Sequence, residues 1–469
     1  MSSPRLRKLA LLTTGALVGG ALTISIQAFA DKNNGILPLN ELRTFAEVFG
    51  RIKQDYVEPV EDKKLINEAI KGMLSGLDPH SDYYDPEEFK EFREGTQGEF
   101  GGLGIEIGTE DGLVKVVAPI EDTPAQKAGI KSGDLIVKID DTPVRGLSIN
   151  DAVKKMRGAP GSKVTLTIAR KTESKPLVFT LTRAVIKTKS VKSRLLEPGF
   201  GYVRVAQFQE HTVENFAQAL TQLYKDNKAP LQGMVLDLRD DPGGVLHGAV
   251  GVSAAFLPQD ALVVYTEGRA SDSKMRLYAN PRDYQRGKAT SEYAKVPPAI
   301  KNVPLVVLVN AGSASASEIV AGALQDHKRA LIVGTQTFGK GSVQSVLPLA
   351  NNGGIKMTTA RYFTPNGRSI QAKGIVPDIV VEEGNEALAS LRVREADLER
   401  HLQNPNDPAE SAKPAAKPVA KPAGNGDKPK NGDSNGNGNG NGDTASDVQL
   451  NQALNILKVQ QIMLKKTPS

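Results

Sequence analysis

Two stretches of the chain carry side chains that could do covalent chemistry, and neither contains a histidine or a cysteine. The first is Ala311-Gly312-Ser313-Ala314-Ser315-Ala316-Ser317-Glu318, which comes after the apolar run Pro304–Val309. Small residues at a strand-to-helix turn let a hydroxyl project with little shielding. The N-terminus of the helix they open adds positive potential where an oxyanion would develop. Serine-rich turns are equally ordinary helix N-caps, so this stretch alone does not define a site. The second stretch runs from Gly334 to Gln344. Gly334 through Lys340 satisfies the G-x-x-x-x-G-K pattern of a phosphate loop, but Gly341 stands where a magnesium-holding Ser or Thr should come next. Ser342–Leu347 then alternates like a strand, so the phosphate-loop reading fails. A lysine between glycines in apolar surroundings has another use. Burial penalises the ammonium and lowers its pKa, so the amine can accept a proton. A fall from about 10.4 to about 7 corresponds to roughly 4–5 kcal/mol. Such a lysine can replace histidine as general base for a serine. Gln344, a neutral amide four residues on, could orient it without restoring its charge.

Composition narrows the alternatives. The absence of cysteine removes thiol catalysis, Cys-ligated zinc and disulfides. The five histidines, His80, His211, His247, His327 and His401, are scattered without metal-ligand spacing. Neither a metal nor an organic cofactor is expected. Lys plus Arg is 59 against 53 Asp plus Glu, a net charge of +6 spread along the chain with no basic stripe, so nucleic acid is not an expected partner. A length of 469 residues predicts two to four domains.

The elements that would position these residues can be read from the pattern along the chain. Arg5, Arg7 and Lys8, the apolar run from Leu9 to about Ile26, and Ala28-Phe29-Ala30 read as an export signal over 1–30, cut before Asp31 or retained as an anchor. Export places the protein in the periplasm or an equivalent space, and retention of the segment would tie it to the membrane. Residues 31–97 read as helical, with stripes through Leu42, Phe45, Val48 and Ile52 and through Leu65, Ile66, Ile70 and Met73. They form either a helical cap or a dimerisation arm. A third, charged helix is predicted from Pro86 to about Arg93, after the turn at Asp78-Pro79-His80-Ser81, where His80 reads as a turn residue. Residues 98–185 change to short strands and glycine turns. From 186 to 390 the pattern is strand–helix–strand, with apolar runs at Tyr202–Val205, Met234–Leu238, Leu262–Tyr265, Pro304–Val309 and Leu331–Val333 that read as buried strands of one α/β core. Residues 391–445 are a low-complexity tether. The segment 446–469 is an amphipathic helix whose apolar face, Leu450, Ala453, Leu454, Leu457 and Met463/Leu464, is expected to dock on a sister subunit or another protein.

In the second domain, Gly101-Gly102-Leu103-Gly104-Ile105 precedes a strand and presents successive amides to one point, which suits a terminal carboxylate. With Gly129-Ile130-Lys131-Ser132-Gly133-Asp134 it resembles a PDZ domain. The resemblance implies that a peptide adds as a β-strand beside the strand after the loop. Its C-terminal carboxylate would sit on the amides of Leu103, Gly104 and Ile105. The alternative is a tight turn with no ligand.

Gly312-Ser313-Ala314-Ser315-Ala316-Ser317-Glu318, Phe338-Gly339-Lys340-Gly341 with Gln344, Asp237-Leu238-Arg239-Asp240-Asp241-Pro242-Gly243-Gly244 and Lys373-Gly374-Ile375-Val376-Pro377-Asp378 together resemble the carboxyl-terminal processing peptidases, the tail-specific S41 serine proteases, from about Leu37 to Val381. That resemblance implies an α/β multidomain chain with a helical N-terminal region, a PDZ domain and a crotonase-like protease core. The implied nucleophile is Ser315, the base Lys340, and its orienting residue Gln344. The oxyanion hole would come from the Ala316 amide with Gly243 or Gly244. The family often has a neutral pair where this chain has Asp240-Asp241; carboxylates reaching the lysine would oppose its deprotonation, and they are expected to point elsewhere. Arg157, at the end of the last PDZ helix, is a candidate for coupling peptide binding to the site. The expected partners are proteins with unstructured C-termini, a periplasmic tetratricopeptide-repeat lipoprotein adaptor and further copies of the chain. The competing readings are an inactive PDZ scaffold and a histidine-triad protease.

Overall fold

The computed structural model describes residues 38–110, 112–285, 291–383, 392–407 and 447–466. The expected export signal and most of the tether expected over 391–445 lie outside the described residues; the described part, 392–407, is not a free tether, because Glu395 and Asn404 are buried and bonded to Gln371. The chain divides into two compact units, Met1–Gly72 and Met73–Ser469. In the first, helix α1 (Leu39–Asp55) buries none of its residues, and Leu42, Phe45 and Val48 form an exposed stripe. Helix α2 (Asp62–Ser75) comes next.

The second unit opens with the short strand β1 (Asp82–Tyr84) and helix α3 (Pro86–Gln97). This helix runs a turn further than its charge pattern predicts. Asp85 caps its start reciprocally with Glu88, and Gly98 closes it at φ +73°. Strand β2 (Glu99–Gly102) leads into a series of short elements: β3 (Ile105–Glu110), β4 (Leu113–Pro119), the short helix α4 (Pro124–Lys127), β5 (Leu135–Ile139), β6 (Thr142–Pro143), helix α5 (Ile149–Met156), β7 (Lys163–Ala169) and β8 (Leu177–Thr182). The antiparallel sheet has the order β3-β4-β5-β7-β8, so among the described residues β3 is an edge with one side unpaired. Strand β9 (Ala184–Lys187) returns to pair with β2 and closes this domain.

The core is a sheet built from β10 (Val191–Glu197), β11 (Phe200–Val205), β12 (Gly233–Asp237), β15 (Leu305–Val309), β16 (Leu331–Gly334) and β19 (Ile379–Val380), in that order. All neighbours from β11 onward pair in parallel. Strands β12 and β15 are buried at every position, as all-apolar runs in a parallel sheet demand. On one face, Leu236, Val307 and Val309 pack with helices α6 (Thr212–Asn227), α7 (Leu246–Ala254) and α9 (Ala316–Asp326). The alternate residues Val235, Val306 and Leu308 point the other way.

Two expectations are corrected here. The C-terminal helix α10 (Val448–Lys466) docks on its own chain: Leu450, Ala453 and Leu457 are buried against that second face of the sheet. A parallel sheet with two apolar faces needs a cover on each, and α10 supplies the second. Met463 and Leu464, expected on the same buried stripe, are exposed. Secondly, the run beginning at Leu262 is not in the parallel sheet. It forms β13 (Leu262–Gly268), which lies between β14 (Arg276–Tyr278) and β18 (Gly354–Phe363) in an antiparallel sheet that also holds β1 and β17 (Ser342–Pro348). The one-turn helix α8 (Pro281–Tyr284) comes directly after β14. An apolar run shows burial and leaves the choice of sheet open.

Candidate active site

The three serines of the Ser-Ala-Ser-Ala-Ser run are not equivalent. Ser313 and Ser317 are fully buried, and their hydroxyls donate to the Leu238 carbonyl at 2.7 Å and the Asp241 carbonyl at 3.0 Å. Ser315 alone is partly exposed. It sits at the mouth of α9 with φ +53° and ψ −110°, a conformation that a non-glycine residue adopts only when its surroundings hold it.

The residue that holds it is Glu318. This side chain is fully buried one turn into α9. Its Oε2 accepts the Ser315 N–H at 2.8 Å and the Lys340 N–H at 2.9 Å. Its Oε1 accepts the Gly339 N–H at 2.7 Å and the Thr337 hydroxyl at 2.5 Å. One carboxyl therefore joins the serine turn to the lysine loop between β16 and β17. Burial lifts Glu318 to about 7, and the four donors oppose that rise. Tyr362, buried at the end of β18, adds a second tie: its hydroxyl reaches the carbonyl oxygens of both Ser315 and Lys340. Glu318 was legible in principle, because Ser-x-x-Glu is the capping-box spacing. Tyr362 had no sequence signal.

Lys340 is enclosed. Burial depresses its ammonium to about 8, and the charge of Lys356 adds to the fall; Glu395, Glu318 and Asp78 pull the other way. Asp240 and Asp241 are engaged elsewhere. The Asp240 carboxylate receives Asn310 Nδ2 and Arg392 Nη1, both at 3.1 Å, while Asp241 faces the Gly243 amide. Gln344 lies on β17, where its Nε2 donates to Ser342 Oγ at 2.9 Å and Thr358 Oγ1 at 3.1 Å. Both bonds use the amide nitrogen; the hydrogen bonds of Gln344 do not reach the lysine ammonium in this structure.

The Pro-Gly-Gly turn lies directly against the serine. A Cβ built on Gly243 (φ +93°) would stand 2.8 Å from the Ala316 nitrogen and 2.9 Å from the Ser315 Cβ. A Cβ on Gly244 (φ +145°) would strike the Phe208 carbonyl. The geometry also separates the two glycines. The Gly243 N–H is committed to Asp241 Oδ1 at 2.8 Å. Among the described residues, neither the Gly244 N–H nor the Ala316 N–H has an acceptor.

The histidine rings are engaged elsewhere. His80 Nε2 meets Glu395 Oε2 at 2.7 Å, His211 lies near Glu99 and Glu214, His247 near Glu210, and His327 and His401 face the carbonyls of Leu262 and Leu398. The turn carrying His80 is more than a turn. Asp78 accepts the Thr358 hydroxyl at 3.1 Å, next to Gln344, and Glu395 accepts Gln371 Nε2 at 2.8 Å, whose Oε1 receives the Gly341 N–H at 3.0 Å. The lysine loop is thus braced from both sides.

In the β3 domain, Gly104 takes φ +75°, and a Cβ there would collide with the Thr123 Cβ. The Leu103 and Gly104 amides have no acceptor among the described residues. Ile105 begins the edge strand β3. Arg157 ends α5 and stacks its guanidinium 4.6 Å over the Phe100 ring on β2, so it joins the end of that helix to the strand that precedes the loop.

A serine turn and a lysine loop gathered on one buried glutamate, beside two amides without an acceptor among the described residues, have the make-up of a serine-type peptidase site. Comparison with known proteins agrees. Residues 199–381 match peptidase family S41, residues 115–170 a PDZ domain, and residues 21–88 the activating protease CtpB N-terminal domain. A carboxy-terminal-processing protease of Bartonella bacilliformis is 46% identical over 381 residues, covering 81% of this chain and 83% of that one. The carboxy-terminal processing protease CtpB of Bacillus subtilis is 37% identical over 336 residues, covering 71% of this chain and 66% of that one. Among solved structures, the photosystem II D1 C-terminal processing protease is 33% identical, with a TM-score of 0.40 over 72% of this chain and 86% of that one. The chain belongs to the carboxy-terminal processing proteases of family S41, and its substrates are proteins.

Proposed function

We propose that this chain is an exported, ATP-independent serine endopeptidase in which a Ser315–Lys340 dyad cleaves proteins captured by their C-termini. The observation that carries the reading is the single carboxylate oxygen, Glu318 Oε2, on which both backbones hang. Lys340 in its neutral form takes the proton from Ser315 Oγ as that oxygen attacks the scissile carbonyl. The oxyanion is received by the free amides of Ala316 and Gly244, with the positive end of α9 behind them. This assigns the donor to Gly244 and gives Gly243 the supporting role. The lysine ammonium then gives its proton to the leaving amine. Water then attacks the acyl carbon as the neutral lysine accepts its proton, and the lysine returns that proton to Ser315 Oγ as the acyl–oxygen bond breaks. Gln344 Oε1 is the neutral acceptor that orients the ammonium once it forms.

Substrate capture rests on the edge strand β3 and the amides of Leu103, Gly104 and Ile105. An extended, unstructured C-terminus adds to the edge and places its carboxylate in the loop. Arg157 transmits that occupancy through Phe100. The leader over 1–30 directs the chain to the periplasm. The exposed stripe on α1 supports assembly with further copies, and a tetratricopeptide-repeat lipoprotein is a candidate adaptor. The test is cleavage of an unfolded protein with an apolar C-terminus by the mature chain, beside Ser315→Ala and Lys340→Ala. Loss in both folded variants is expected. Activity retained in Lys340→Ala would overturn the dyad, and an unmodified chain inactive with and without a captured partner would favour a scaffold.

A further inference from the structure

Asp241 is a carboxyl group shielded from solvent and without a paired cation among the described residues. Its relative exposure is 0%. Oδ1 accepts the Gly243 N–H at 2.8 Å, and Oδ2 is buried with no partner among the described residues. Its backbone carbonyl accepts the Ala314 N–H at 2.9 Å and the Ser317 hydroxyl at 3.0 Å, on either side of Ser315. The residue therefore stitches the Pro-Gly-Gly turn to the serine turn.

The groups facing it are few. On β12, Asp237 is already paired with Arg239 at 2.7 Å. On β11, Arg204 lies 3.8 Å from Asp237 and donates to the Arg239 carbonyl. On α9, the Ser317 hydroxyl donates to the Asp241 backbone carbonyl at 3.0 Å. An ionised carboxylate with one orphaned oxygen and no paired cation is costly to bury. Its charge would also sit on the Pro-Gly-Gly turn, at the Gly243 amide, where it would oppose an oxyanion developing on the neighbouring amide.

We propose that Asp241 is a positioning residue of the oxyanion hole that serves as an uncharged carboxylic acid, its Oδ1 fixing the Gly243 amide so that the Gly244 N–H faces Ser315. The inference rests on the assignment of Ala316 and Gly244 as oxyanion donors. Burial pushes the Asp241 carboxyl well above the usual carboxylate range and the Asp237 charge adds to this, while the Gly243 amide, Ser317 and Arg204 oppose it.

The experiment has two arms on the mature chain. Kinetically, Asp241→Ala is expected to lower kcat by about 10- to 100-fold with little change in KM, as loss of a placed donor does. Asp241→Asn, which keeps the acceptor without a charge, restores most of that loss. Spectroscopically, infrared difference spectra at pH 7 should show a protonated-carboxyl C=O band in the unmodified chain that is missing from Asp241→Asn. A missing band overturns the neutral acid even if Asp241→Ala fails to fold. An Asn variant no better than Ala, or one more than tenfold faster than the unmodified chain, overturns it as well. Ser315→Ala serves as the separate control: activity surviving that change rejects the dyad, while the band still reports on Asp241.

Discussion

Ser315 and Lys340 are joined through one oxygen atom: both backbone N–H groups donate to Oε2 of Glu318, at 2.8 and 2.9 Å. The two residues lie 25 positions apart in sequence, on different loops of the core sheet. Their mutual placement is thereby fixed by a group that touches neither reacting atom.

Replacing that group tests the placement. Glu318→Gln keeps one acceptor oxygen but turns an NH2 toward amide donors. It should lower kcat by about 100-fold or more, on the scale of a misplaced catalytic geometry. It should also destabilise the fold by ~1–3 kcal/mol for each donor left unpaired. Kinetics and denaturant unfolding on the same variant check both.

The pH dependence has a definite sign. The base must be neutral, so kcat/KM should rise with pH through about 8, where Lys340 titrates in the folded chain. The same depressed value makes the lysine a stability cost. Its folded value lies below its ordinary 10.5, so the folded state prefers the neutral amine. That preference is fully present above 10.5 and is lost as pH falls through 8. At pH 7 the buried ammonium costs up to ~3 kcal/mol. Lys340→Met should therefore abolish activity and raise the unfolding free energy at pH 7, with a smaller gain at pH 10. Urea unfolding at the two pH values measures it.

The C-terminal helix should matter to stability before it matters to partners. Leu457 is fully buried on the sheet face opposite α9, so Leu457→Ala should cost about 2–5 kcal/mol. Asp447→Asn should cost less, because it weakens a bidentate pair with Arg239 at 2.8 and 2.9 Å at the helix mouth. Thermal melts rank the two.

In the β3 domain, Gly104→Val meets Thr123 and demands an unfavourable φ. It should weaken binding of a peptide with a free C-terminus by at least tenfold. C-terminal amidation of the peptide should weaken binding to the unmodified chain in the same direction. Fluorescence anisotropy reads both. Arg157→Ala should leave this binding intact and slow cleavage of tailed substrates; an unchanged cleavage rate removes Arg157 from the coupling.

Much of the fold was legible in the residues themselves. The apolar runs Pro304–Val309 and Leu331–Val333 fall within a residue of the observed strands, because a buried parallel strand is marked by its own continuous apolar residues. Lys340 stood out by its residue type and its glycine neighbours, and the family resemblance singled out the central serine of three. The features the sequence hid were long-range. Its spacing marks Glu318 as a cap for the serine turn, but the Thr337, Gly339 and Lys340 donors reach it only once the lysine loop folds onto it. The apolar face of α10 announced a dock but not its address, since any apolar surface satisfies it. Of two adjacent glycines only the fold reveals which amide Asp241 has taken.

The most direct measurement is the rate at which an acylating or phosphonylating probe modifies Ser315 as a function of pH, with the labelled peptide identified by mass. A Ser315–Lys340 dyad predicts a single rise with a midpoint near 8, modification at Ser315 alone, and loss of the rise in folded Lys340→Ala. A midpoint near 6.5, the ordinary range of histidine, unaffected by Lys340→Ala, would contradict it.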